Sequence, residues 1–146
     1  MGGARISILA TAIAVLALVR MIYTNSAFGT GPITIGMQVA AVVLMLYARI
    51  TFGLRSFHAA ANPTEGGLVT KGPYALVRNP IYAAVILFTS AALIAHWSVE
   101  NALLAVAITV AMLVRIHFEE KFLRQHYRGE YEEYEQRVKR LLPYIF

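Results

Sequence analysis

Four apolar runs, over 6–23, 33–52, 80–97 and 99–118, constrain this chain more than any other feature. Each comes close to the roughly 20 residues an α-helix needs to cross a bilayer. In hydrocarbon no water pairs with backbone N–H and C=O groups, so such runs are stable only as internally bonded helices. Only 14% of the 146 residues are charged, against about a quarter in a soluble domain. The expected fold is an all-α integral membrane protein, one domain over 1–146 built as a bundle of four transmembrane helices. Ala83, Ala84, Ala91, Ala92, Ala102, Ala105 and Ala111 lie in the last two runs. Small residues let helix backbones approach closely in lipid, so these two runs are expected to form a hairpin about a reversal at 98–101.

The charge pattern orients the bundle. The connections 24–32 and 98–101 hold no Lys or Arg, whereas Arg5, Arg55, Lys71, Arg78 and a cationic tail lie on the other side. By the positive-inside rule both termini and the long connection 54–78 are expected in the cytoplasm; Arg20 alone dissents. The net charge of +5 lies beside apolar segments and lacks a basic stripe with interleaved aromatics, which favours lipid headgroups over nucleic acid. No cleaved signal peptide is expected, because 6–23 lacks a clear small-residue cleavage site and further spans follow. The absence of Cys removes disulfides and thiolate chemistry. His58, His96, His117 and His126 offer no metal-ligand spacing, so no metal is expected.

Two polar stretches flank the apolar runs. In LVTKGPYALVRNPIY, 68–82, a Gly-Pro-Tyr turn leads to Arg78-Asn79-Pro80. Pro80 suits the first position of a helix, where its missing N–H is no loss, and Asn79 is expected to be the N-cap. This delivers a cation, an amide and a helix N-terminus to the membrane boundary, an arrangement suited to an anionic or zwitterionic ligand. The second stretch, RIHFEE over 115–120, puts Arg115 and Glu119 four apart on one helix face. Glu119 and Glu120 point in different directions, so one Arg cannot readily neutralise both. Beyond them the tail is amphipathic. Tyr131, Tyr134, Val138 and Leu141 share a face, and Glu133 with Arg137 and Glu135 with Lys139 are expected ion pairs. The simplest reading of this tail is a cytoplasmic helix lying on the membrane or capping the bundle.

These residues resemble the isoprenylcysteine carboxyl methyltransferase family and its bacterial relatives, which share features with membrane phospholipid methyltransferases. The resemblance runs through Leu68-Val69-Thr70-Lys71-Gly72-Pro73-Tyr74, Arg78-Asn79-Pro80-Ile81-Tyr82, Glu119-Glu120 and Glu130-Tyr131 to Val138, covering 66–143. Asn79 stands where the family has His and cannot titrate, and Gly129 lies one place after the family glycine. The resemblance implies a methyltransferase in a bacterial or archaeal inner membrane, with S-adenosylmethionine bound at the cytoplasmic boundary. Gly67, Leu68, Val69, Tyr74, Asn79, Pro80, Ile81 and Tyr82 would cradle the cofactor. Glu119, or Glu119 with Glu120, would hold its ammonium group. Arg115 would face the acceptor, with Arg78 and Glu120 as further catalytic candidates. The acceptor would be lipophilic or small, presenting a carboxylate, thiol or amine.

Two other readings compete. Sterol reductases resemble this chain at their C-terminal end, which suggests an NADPH-dependent membrane reductase. A 2′-phosphate would want a denser Arg cluster than this chain offers. The other reading is a small non-enzymatic protein that binds membrane lipid or a partner.

Overall fold

A computed structural model of the chain describes residues 2–53 and 67–146. Residues 54–66, which include Arg55, His58, Asn62-Pro63 and Gly66, lie outside the described part. The elements are α1 (Gly2–Tyr23), α2 (Pro32–Phe52), a 3₁₀ turn (Gly72–Ala75), α3 (Pro80–Ala95), α4 (Val99–Tyr127) and α5 (Gly129–Arg137). Among the described residues the only extended pairing is an isolated parallel bridge between Val77 and Lys139.

Local chemistry sets the helix ends. Pro32 starts α2, and the Thr34 hydroxyl accepts from the Gly31 N–H (3.2 Å) and donates to the Gly31 carbonyl (3.1 Å). Ser98 caps α4 by accepting from the Asn101 N–H at 3.0 Å. α3 ends at Ala95 rather than 97, since His96 turns out of the helix and its ring bonds the Phe28 carbonyl (2.8 Å). α4 does not stop at 118; it runs to Tyr127 and carries the charged segment as one helix.

Packing joins the two halves of the chain. α1 lies along α4, α2 lies along α3, and α3 meets α4 between them. Ala10, Ala14, Ala17 and Met21 form the inner stripe of α1, facing Ile108, Ala111 and Met112 of α4 and Ala92 of α3. Their 3–4 spacing places them on one side of a helix. The opposite faces of α1 and α2 expose Ile8, Leu16, Ile33, Val39 and Ile50. α1, α2 and α4 are long and apolar enough to cross a membrane, and α3 is a shorter apolar helix of 16 residues, about 24 Å at 1.5 Å per residue. The chain is a helical membrane bundle.

The end of the bundle holding the 24–31 connection is tied by polar side chains. Arg20, the dissenter in the charge pattern, forms a 2.7 Å salt bridge with Glu100 at the start of α4. Buried Gln38 accepts from the Gly29 N–H (2.8 Å) and donates to the Ala27 carbonyl (2.8 Å). Ser26 donates to Asn101, whose amide donates to the His96 carbonyl. These bonds leave the opposite, charged end as the place where the remaining ionisable groups collect.

Candidate functional site at the charged end of the bundle

The 68–82 stretch folds by a sharp turn at Gly72, whose φ of 59° favours glycine. A Cβ there would sit 2.9 Å from the Thr51 hydroxyl and 3.2 Å from that of Tyr47, so the turn lies tight against α2. Pro73 and Tyr74 are buried behind it, with the Tyr74 ring tilted against Phe52. Next, the Arg78 N–H donates to the Lys139 carbonyl (2.8 Å) and the Asn79 N–H to the Arg140 carbonyl (3.1 Å). The tail therefore crosses over the start of α3. Asn79 does occupy the N-cap position, and its carbonyl accepts from the Ala83 N–H (3.0 Å), but its side chain makes no cap bond. The amide instead donates to Glu120 (3.0 Å) and to the Arg140 carbonyl (3.3 Å). A neighbouring carboxylate is the stronger acceptor.

Glu120 lies at the centre of this crossing and is 1% exposed. Oε1 accepts from Arg78 Nε (3.1 Å) and Asn79; Oε2 accepts from two nitrogens of Arg140 (3.1 and 2.8 Å), with Arg124 at 3.8 Å. Arg78 is itself nearly buried and also donates to the Glu135 and Val138 carbonyls (2.9 and 2.8 Å). Both carboxylate oxygens are thus engaged by protein groups. Such an arrangement compensates the cost of burying the charge and ties α4, the start of α3 and the tail together.

Glu119 points elsewhere. Its Oε1 accepts a short hydrogen bond from the Tyr82 hydroxyl and one from Arg115 at 3.3 Å. Arg115 Nε donates to the Tyr82 oxygen (3.1 Å), and its guanidinium lies over the Tyr82 ring at 5.6 Å. A third Arg115 nitrogen makes a short bond to the Thr11 hydroxyl of α1. Thr11 donates its own proton to the Ser7 carbonyl (2.8 Å), so the hydroxyl presents lone pairs to the cation. This group is half-buried, with Glu119 26% and Arg115 18% exposed. Among the described residues both bonds to Glu119 fall on Oε1, and Oε2 accepts none. Burial, reinforced by Glu119 and opposed by Arg49, pushes the Tyr74 phenol up to about 12, so it stays protonated at neutral pH.

The expected site residues thus separate into two adjoining groups. Arg78, Asn79 and Glu120 form the buried one; Tyr82, Arg115 and Glu119 form the half-buried one. Pro80 is buried and Ile81 half-buried at the start of α3, Leu68 and Val69 are half-buried, and Gly67 is exposed with open space beside its Cα. Sequence reading missed Thr11, Arg124 and Arg140. Thr11 is an ordinary hydroxyl in an apolar run, and nothing in the order of charges in the tail singles out the two arginines.

The tail also departs from its expected register. α5 ends at Arg137, and Val138 is extended (φ −115°, ψ 132°). Tyr131 and Tyr134 lie in the helix, but Val138 and Leu141 fall beyond it, Val138 in extended chain and Leu141 in a bend. Glu135 does not pair with Lys139; Arg124 takes it at 2.6 Å, because α5 folds back on α4. Tyr131 and Tyr134 are buried, and the Tyr134 hydroxyl donates to the Tyr74 carbonyl (2.6 Å). Burial raises both phenols, which remain donors.

Comparison with known proteins finds a match to the phospholipid methyltransferase family over residues 24–130. The chain is also similar to two rice proteins, each described as a "Probable protein-S-isoprenylcysteine O-methyltransferase", from Oryza sativa subsp. indica and subsp. japonica. Each is 38% identical over 82 residues, covering 53% of this chain and 41% of the relative. The chain therefore spans less than half the length of these curated relatives. No solved structure matches it.

Proposed function

This chain belongs to the phospholipid methyltransferase family, and on that premise we propose that it is an integral membrane methyltransferase using S-adenosylmethionine. The observation that carries the reading is Glu119, whose Oε1 is held by Tyr82 and Arg115 while Oε2 has no partner among the described residues. A half-buried carboxylate with one available oxygen suits the ammonium of an amino-acid-bearing cofactor. Tyr74, Tyr82 and the backbone of 67–69 and 79–81 would border the rest of it. When bound, the cofactor supplies a methyl group on a sulfonium centre. In-line displacement there asks the protein chiefly for alignment and exclusion of water.

Arg115 orients the acceptor. Among the described residues three of its five N–H donors are spent on Tyr82, Glu119 and Thr11, and the other two would serve an incoming polar head. The apolar faces of the surrounding helices suit a lipophilic acceptor that reaches this head position sideways from the bilayer. Glu120 and Arg78 act as positioning residues, since their polar atoms are committed to one another and to the tail. Both termini lie in the cytoplasm on this reading, as the loop charges require.

Calorimetric titration of the detergent-solubilised protein with S-adenosylhomocysteine and with NADPH tests the assignment. Saturable binding of the first alone is expected. Glu119→Gln should weaken that binding more than tenfold, by about the energy of one charged hydrogen bond, whereas exposed Glu133→Gln should leave it unchanged. Binding of NADPH alone, or equal affinities for the two variants, would overturn the proposal.

A further inference from the structure

The C-terminal segment holds a group of side chains that the site does not use. Its backbone is bonded to Arg78 and Asn79, so 139–146 lies level with Pro80, where α3 begins. The Leu141 and Leu142 N–H groups both donate to the Phe146 carbonyl (2.7 and 2.6 Å), closing the last residues into a loop. Arg140 covers the Phe146 ring at 5.6 Å. Outward the loop presents Leu142, Ile145 and Tyr144, the last 89% exposed. Beside them a shallow open cleft of about 180 Å³ is lined by Ala75, Leu76, Arg137, Lys139 and Tyr144.

Among the described residues neither Arg137 nor Lys139 forms a salt bridge: Glu135 is taken by Arg124, and the expected pair of Glu133 with Arg137 does not form. Two cations, a phenol and an apolar rim at the membrane boundary make one composite surface. We propose that this cleft binds the headgroup of an anionic bilayer phospholipid. Arg137 and Lys139 would flank the phosphate, and Tyr144, as an amphipathic ring, would sit at headgroup level. Leu76, Leu142 and Ile145 would rest on the glycerol and upper acyl region. A free phosphate ion would satisfy the cations but leave the apolar rim in water, which is why the lipid is the better occupant.

The test uses the full chain in neutral detergent, titrated calorimetrically with dihexanoyl phosphatidylglycerol below its micelle concentration. Parallel titrations use dihexanoyl phosphatidylcholine and inorganic phosphate. The double substitution R137Q/K139Q removes only exposed groups and should fold normally. It should weaken the phosphatidylglycerol interaction by on the order of twenty-fold, near fivefold per cation. Lys121→Gln, which removes an exposed cation on α4, should leave it unchanged. Phosphatidylcholine and phosphate should each bind far more weakly to the unaltered protein. Undiminished binding in the double variant, an equal loss in Lys121→Gln, or phosphate binding as tightly as the lipid would each overturn the proposal.

Discussion

At the scale of single residues, Glu119 and Glu120 divide between them the two tasks a membrane-boundary carboxylate can have. Glu120 accepts hydrogen bonds on both oxygens within a ring of Arg78, Arg140 and Asn79. Removing it leaves the nearly buried Arg78 without a counter-charge. Glu120→Ala should therefore destabilise the fold by about 3–5 kcal/mol, the usual cost of breaking one side of a buried pair. Unfolding by heat in detergent reads this loss, and a change below about 1 kcal/mol would mean that the tail is held by other contacts. Glu119 sits in a more exposed group, so its loss is expected in cofactor affinity rather than in stability.

At the scale of elements, the joint between α4 and α5 carries a misfit. Arg128 has φ 41° and ψ −124°, a conformation an L side chain rarely adopts. The family pattern has its glycine at this place, whereas here Gly129 follows one residue later. Arg128→Gly should relieve the strain and stabilise the protein by roughly 1 kcal/mol, seen as a higher unfolding midpoint. A lower midpoint would show that the Arg128 side chain holds the joint through contacts of its own. The tail is also fixed by Tyr134, whose hydroxyl reaches the Tyr74 carbonyl from the buried face of α5. Tyr134→Phe keeps the ring and strands that carbonyl, so a loss of about 1–3 kcal/mol is expected. The same unfolding experiment checks it, and an unchanged midpoint would mean that another donor replaces the phenol.

At the scale of the whole molecule, α1 and α2 each pack on a helix from the C-terminal half, and apart from the Arg20–Glu100 pair the ion pairs gather at one end. The absence of cysteine makes the orientation directly measurable. A single Cys at exposed Thr30, between α1 and α2, should react with a membrane-impermeant maleimide in intact cells. One at exposed Glu132 in α5 should react only after permeabilisation. The reverse pattern would invert the bundle and overturn the cytoplasmic placement of the site.

The sequence by itself determined the helices, because length and unbroken apolarity leave a membrane segment no other backbone structure. Local chemistry likewise marked Pro80 as the start of α3 and Ser98 as part of the reversal before α4. The two polar stretches were legible as well, since Tyr82, Arg115 and Glu119 stand out against apolar surroundings. Only tertiary structure decided how those groups were shared. Whether Asn79 caps a helix or bonds Glu120 depends on which acceptor α4 brings within reach, and no local spacing records that. Glu135 bonds Arg124 instead of Lys139 for the same reason: α5 ends at Arg137 and folds against α4, so a partner 11 residues back lies closer than one four ahead. Thr11 meets Arg115 across 104 positions of sequence, a contact that exists only because α1 packs along α4.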